Sequence, residues 1–295
     1  MRLVTFDNGA GAHIGVQAPD GSIVDLSVAA PELPCDMLSF IALGAKGLDL
    51  ARKGSSGSQG LVQAADAKLL APIPRPARNI FCVGKNYHEH AKEFHSSGFD
   101  ASAGKDAIPD VPIIFTKPFT SVIGPGVAIP GYLDPTQSVD YENELTVVIG
   151  KGGRGIPRAK AFEHVYGYTI INDVTARTLQ HKHKQWFLGK SIDGFCPMGP
   201  VIVTADEVPD PRKMHLTTRV NGEIRQDALV NDLIFDIPAL IETISAGITL
   251  VPGDLIATGT PAGVGIGFKP PRYLKKGDVV SLTIVPIGEL SNPVD

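Results

Sequence analysis

The chemistry-bearing residues of this 295-residue chain fall in a few short segments. The sharpest is Asp140-Tyr141-Glu142-Asn143-Glu144-Leu145. Read as the opening of a strand, it puts Glu142 and Glu144 on one face, with Asp140 at the same parity. Neighbouring carboxylates repel unless a cation or a proton relieves them. The same acids would also suit a solvated strand edge that resists aggregation. Asp173 follows the apolar run Tyr166–Ile171 and precedes Val174-Thr175-Ala176-Arg177, a helical stretch that it could simply cap. Three carboxylates at strand ends would instead form an all-oxygen site suited to Mg²⁺ or Mn²⁺.

The histidines offer a second centre. His88-Glu89-His90-Ala91-Lys92-Glu93 is not a zincin motif, because H-E-x-x-H would need histidine where Lys92 stands. On a helix, however, His90 and Glu93 are i,i+3 neighbours. A carboxylate beside an imidazole fixes its tautomer and raises its basicity, which makes a general-base pair. An exposed helix face would explain the same spacing. His181-Lys182-His183-Lys184 reads as a solvated basic run. Gly259-Thr260-Pro261-Ala262-Gly263-Val264-Gly265-Ile266-Gly267 lacks dinucleotide-site spacing, and is either a tight turn or a set of amides lining a carboxylate site. No P-loop and no G-x-S-x-G elbow occurs.

These segments need strands to hold them. Leu3–Phe6, His13–Val16 and Ile23–Leu26 are expected strands, followed by a helix around Met37–Leu48 and a loop at Lys53–Gly60. Pro72, Pro74 and Pro76 stiffen Leu69–Arg78 and mark a junction between a small β-rich domain, 1–72, and a larger one, 73–295. Beyond it, Ile80–Val83, Ile113–Phe115, Leu145–Ile149, Tyr166–Ile171, Val201–Val203 and Val279–Ile284 are rich in β-branched residues. Asn221-Gly222 signals a type I′ hairpin. A helix is expected from Ile237 to Ala246, capped by Asp236 and closed by Gly247, and another after Asp173. The fold class is mainly β (α+β), a mixed roll or sandwich rather than a doubly wound sheet.

Composition agrees with an enzyme-sized globular protein. Lysine and arginine (27) nearly balance aspartate and glutamate (31), which gives a net charge of −4 and no basic nucleic-acid footprint. No window approaches the roughly 18–20 apolar residues of a membrane span. The N-terminus reaches Asp7 before any signal core forms. Cys35, Cys82 and Cys196 form no C-x-x-C pair, so neither a disulfide framework nor a cysteine zinc site is expected, and a reduced, cytoplasmic setting is.

Taken together, the motifs resemble the fumarylacetoacetate hydrolase superfamily. The resemblance rests on Gly84-Lys85-Asn86-Tyr87 with His90 and Glu93, on Asp140 to Leu145, on Asn172-Asp173-Val174-Thr175-Ala176-Arg177, and on Gln185-Trp186 before Gly189-Lys190-Ser191. Asp193-Gly194-Phe195-Cys196-Pro197-Met198-Gly199-Pro200, Thr258 to Gly265 and Leu274-Lys275-Lys276-Gly277-Asp278 complete it in order, over roughly residues 79–290. It implies a β-roll catalytic domain, a small N-terminal domain and a homodimer. It makes Glu142, Glu144 and Asp173 the Mg²⁺ or Mn²⁺ ligands, His90 and Glu93 the water-activating dyad on a segment that orders over ligand, and Lys190 the active-site lysine. Tyr87, Arg177, Gln180, Gly259 and Thr260 become substrate-binding positions. Thr175 and Thr178 depart from the family's usual serine and aspartate, the stretch Phe94–Pro112 is longer than in short members, and Lys85 and Asn86 supply no extra metal-binding acid.

The implied chemistry is cleavage of a C–C bond in a 2,4-dioxo acid of the acylpyruvate type, such as fumarylpyruvate or acetylpyruvate. The dyad would activate water and the metal would stabilise the enolate, with pyruvate and a carboxylic acid as products. Lys190 or the amides near Gly259-Thr260 would take the oxyanion. Oxaloacetate decarboxylation, hydroxy-diene-dioate isomerisation and hydrolysis of a diketo-deoxy sugar acid could use the same core. A cation-binding β module without catalysis is the reading from another class.

Overall fold

The computed structural model describes residues 1–57, 59–100 and 107–295. The N-terminal part contributes β1 (Arg2–Asp7), β2 (Ala12–Gln17), β3 (Ile23–Asp25), β4 (Leu61–Val62) and β5 (Lys68–Leu69). Between β3 and β4 lie α1 (Leu26–Ala29), α2 (Met37–Ala42) and α3 (Gly44–Gly54). The next stretch holds β6 (Ile80–Gly84), α4 (His88–Ser96), β7 (Ile113–Lys117) and β8 (Val122–Ile123). The centre of the chain forms β9 (Val139–Asp140), β10 (Asn143–Ile149), β11 (Val165–Asn172), β12 (Thr175–Ala176), α5 (Arg177–Lys182), α6 (Phe187–Lys190) and β13 (Cys196–Thr204). Last come β14 (His215–Val220), β15 (Glu223–Leu229), α7 (Ile237–Ser245), β16 (Leu255–Ala257), β17 (Val279–Val285) and β18 (Gly288–Pro293).

The large sheet runs β4-β3-β2-β1-β13-β11-β10-β16-β6-β7, and a second sheet runs β15-β14-β17-β18. Strand β1 pairs antiparallel with β13, so the N-terminal strands extend the same sheet that carries the central ones. Burial explains the run of apolar residues in β10 and β11, which are buried at every position. Leu145, Val147 and Ile149 face a core shared with Leu216 and Leu282 of the second sheet. Val148 points the other way, into a core with Phe40 and Ile41 of α2. A strand covered on both faces loses the apolar–polar alternation of a half-solvated one.

Several local expectations shift in detail. The helix expected over Met37–Leu48 is two helices, broken at Leu43-Gly44 where Gly44 takes φ +55°. Leu26 opens α1 instead of ending a strand. The helix after Asp173 begins only at Arg177, because Thr175 and Ala176 first pair with Asp140 and Val139. Asp173 therefore caps nothing. Asp236 does accept from Ala239 N–H and caps α7, but Gly247 does not adopt the left-handed conformation expected of it. Asn221 and Gly222, at φ +52° and +82°, make the tight turn between β14 and β15. All three cysteines are free.

Candidate active site

The carboxylates meet where β10 and β11 run out beside each other. Asn143 pairs with Asn172 across the two strands, which brings the residues flanking them, Glu142, Glu144 and Asp173, to one place. One ligand oxygen from each lies within 4.8 Å of the others, and all three residues are buried. Local hydrogen bonds fix them there: Asp173 N–H donates to the Glu142 carbonyl, and Glu142 N–H to the Asn172 side chain. The solvated-edge reading of these acids ends here.

Cations surround the cluster. Lys190 Nζ lies 2.8 Å from Glu142 Oε2 and 2.7 Å from Asp173 Oδ2. Arg177 Nη1 lies 2.7 Å from Glu142 Oε1, and its Nε donates to Asp140 Oδ2 at 2.8 Å. Lys117 Nζ, fully buried at the end of β7, lies 2.7 Å from Asp173 Oδ1 and donates to the carbonyls of Val174 and Lys190. Burial opposes ionisation of Glu142, yet Lys190 and Arg177 beside it hold its carboxyl down at about 2. Among the described residues, no cation is in contact with Glu144. Burial and the charges of Asp173 and Glu142 push it well above the carboxylate range, and the Gly259 N–H at 2.9 Å offsets this only in part. Burial alone would lower Lys190, but Asp173 and Glu142 raise it.

The balance of charge tests whether a cation fits. Four buried acids, counting Asp140, face three buried cations, Lys117, Arg177 and Lys190. With all four acids ionised, one negative charge would be left over, and it would fall on the all-oxygen cluster at Glu144. Hard divalent ions such as Mg²⁺ and Mn²⁺ take oxygen donors of this kind. The donor set fits.

The dyad sits above the cluster on α4, which Ala91 and Phe94 anchor inward. His90 Nδ1 lies 3.1 Å from Glu93 Oε2, and the other Glu93 oxygen accepts from Gly263 N–H at 3.0 Å. Gly263 (φ +102°) cannot easily carry a side chain, and a Cβ at Gly267 would fall 1.9 Å from Glu93 Oε1. The glycines of this loop thus let it close against the dyad. His90, Glu142, Glu144, Arg177, Gln180, Lys190 and Thr260 line one small pocket. Phe94, Phe115 and Trp186 supply its apolar side.

Two expected contacts are arranged differently. Gly259 N–H is taken by Glu144, so it holds a carboxylate and not an oxyanion. Tyr87 is buried outside the cavity wall, and among the described residues its hydroxyl has no hydrogen-bond partner. Asp140, at the same parity as the glutamates in the sequence, turns from the cluster to accept from Arg177 and from the amides of Gly265 and Ile266. Asp140→Ala would leave a buried guanidinium short of a partner and should cost roughly 3–5 kcal/mol. Chemical denaturation should show the lowered midpoint, and an unchanged one would refute this account of Asp140. Lys117 escaped the sequence reading; its signal was a lysine ending an apolar strand.

A model described as fumarylacetoacetate (FAA) hydrolase C-terminal matches residues 79–295. The chain belongs to the fumarylacetoacetate hydrolase family. Among its relatives, an oxaloacetate tautomerase of Bacillus subtilis is 44% identical, with all of both chains covered. A human mitochondrial oxaloacetate tautomerase is 40% identical over all of this chain and 91% of its own. A fumarylacetoacetate hydrolase structure from Exiguobacterium antarcticum superposes with TM-score 0.84 at 42% identity, covering 100% of this chain and 99% of the other. Maleylpyruvate hydrolase of Sphingobium sp. SYK-6, solved with manganese(II) and pyruvate, gives TM-score 0.79 at 32% identity, covering 100% and 98%. The chain is therefore an enzyme of this metal-dependent family, with the mixed α+β fold expected of it. Among the described residues, no helix is long and apolar enough to cross a membrane.

Proposed function

We propose that this family member interconverts the enol and keto forms of oxaloacetate, using a divalent cation held by Glu142, Glu144 and Asp173. The observation that carries the reading is identity of 40–44% across the whole chain, N-terminal strands included, with proteins named oxaloacetate tautomerases. Mg²⁺ and Mn²⁺ both suit the donor set, and the manganese in the maleylpyruvate hydrolase structure supports the latter.

When bound, the ion supplies Lewis-acid polarisation of the 2-oxo oxygen. The remaining steps belong to this chain. With Nδ1–H held by Glu93, His90 presents the lone pair of Nε2. That nitrogen takes a proton from C3 of the keto form and returns it to O2, or runs the reverse. Glu93 stabilises the imidazolium between the two transfers. Lys190 and Arg177 offset the charge that develops on the substrate's oxygens, and Gln180 and Thr260 orient it.

The resemblance to maleylpyruvate hydrolase favours a second reading, the C–C hydrolysis of an acylpyruvate, in which His90 would deprotonate water instead. Deuterium exchange at C3 of oxaloacetate, followed by NMR beside pyruvate release, separates them. Metal-dependent exchange without pyruvate is expected. Pyruvate from acetylpyruvate or maleylpyruvate with no acceleration of exchange would establish the hydrolase, and pyruvate from oxaloacetate the decarboxylase. The division at 72/73, supported by a family match that begins at residue 79, stands with this proposal. So do the homodimer, which gel filtration would test, and the cytoplasmic setting.

A further inference from the structure

We propose that the ion pair between Lys85 and Asp100 is a clamp that positions the dyad helix over the carboxylate cluster. The kinetic part of the proposal rests on the tautomerase reading; the structural part does not. Lys85 and Asp100 stand in the chain on either side of α4, and Lys85 Nζ lies 2.8 Å from Asp100 Oδ2. Their side chains are only 3% and 2% exposed. His95, on the last turn of α4, brings Nδ1 to 3.6 Å from the same Asp100 oxygen. The pair thus closes the chain around the helix that carries His90 and Glu93.

The helix needs such a closure. Phe94 docks it on a small apolar cluster with Trp186, Val264 and Ile266, far smaller than either main core. Glu93 adds its bond to Gly263 N–H. Beyond the last turn, Phe99 packs on the same cluster and against the His181 ring, and the buried ion pair fixes the residue that follows it. Lys85 itself takes φ +54°, a left-handed conformation that a residue with a Cβ adopts at some cost. Its conformation places it in the cavity wall together with Arg177 and Lys190.

Burial makes the pair act as a clamp. An exposed ion pair can open freely, because water replaces each partner. A buried one cannot, because separation strands an uncompensated charge. Movement of residue 100 away from Lys85 would leave an ammonium beside two other cations in the wall. The chain is thereby held so that α4 stays seated, and His90 stays at its distance from the substrate. Displacement of a reacting group by about 1 Å can cost on the order of 100-fold in rate. Lys85 and Asp100 are therefore positioning residues, acting through His90.

The test uses the full chain loaded with Mn²⁺, as wild type, Lys85→Met, Asp100→Asn and the double variant. Hydrogen exchange of the amides in α4 is expected to rise in each single variant, with β10 and β11 unchanged. Mn²⁺ affinity, measured by calorimetry, should hold. On oxaloacetate, kcat should fall roughly 10- to 100-fold in each single variant. The double variant should lose less than the product of the two single losses, because the Lys85–Asp100 pair is lost in all three. Wild-type protection of α4 in Asp100→Asn would overturn the proposal, and so would single losses that multiply in the double variant. A raised KM for Lys85→Met with α4 still protected would also overturn it, and would make Lys85 a substrate contact. Exchange and Mn²⁺ binding need no substrate. Wild-type protein inert on oxaloacetate would refute the tautomerase reading, and the clamp would then stand or fall on exchange.

Discussion

His90→Ala should lower kcat for oxaloacetate tautomerisation by roughly 10²- to 10⁴-fold, the span set by loss of a positioned general base. The expected size follows from the arrangement of the dyad. His90 is 5% exposed at its side chain and is held through Nδ1 by Glu93, which is itself held by Gly263. Nothing else among the described cavity residues offers a free base: the lysines and Arg177 are paired to acids, and the three acids form the cluster proposed to hold the metal. Glu93→Gln should cost less, since it leaves the imidazole in place but without an anion to stabilise its charged form. Both variants should bind Mn²⁺ as wild type does. Full exchange activity in His90→Ala with metal bound would remove the dyad from the mechanism.

Removal of the metal should have an equally large effect, and with an unusual sign at one residue. Chelation should abolish turnover and lower the melting temperature; a cation at about 100 times its Kd should restore roughly 2.7 kcal/mol. Glu144→Gln should remove most of that restoration, because it deletes a ligand. In metal-free protein the same variant should be neutral or stabilising. The carboxylate there is buried beside Asp173 and Glu142, and its folded pKa lies well above the ordinary value. For an acid shifted in this direction, the folded state holds the extra proton. That stability is fully present below the usual pKa of about 4.5 and is lost as pH rises through the folded value. Metal-free wild type should therefore lose stability over this window, and Glu144→Gln should lose less. Thermal melts of both proteins across pH, with and without Mn²⁺, check the prediction. A Glu144→Gln variant still fully stabilised by Mn²⁺ would show that Glu144 is not a ligand.

The residue types and their spacing already contained much of this. Glu142 and Glu144 beside an apolar strand, Asp173 at the end of another, and His90 three residues from Glu93 are local patterns. A strand's alternation and a helix's turn bring those side chains together within each segment. The type I′ turn at Asn221-Gly222 and the cap at Asp236 are local in the same way, and both formed as expected. The helix after Asp173 started late because Thr175 and Ala176 found strand partners in Asp140 and Val139, and pairing outweighs local preference.

Local sequence carries the inventory: three acids for a hard cation, a histidine with its carboxylate, and a strand-rich chain with the family's motifs in order. Tertiary structure decided the pairings. Asp140 shares the parity of the glutamates yet serves Arg177 and two loop amides, and Lys117 reaches Asp173 from a strand 56 positions away in the chain. Gly259 donates to Glu144, and Lys85 closes on Asp100 across α4. Each of these depends on how strands and loops from separate parts of the chain come together. The physical reason is that a buried charge settles on whichever counter-charge the packing brings within reach, and no local periodicity encodes that distance.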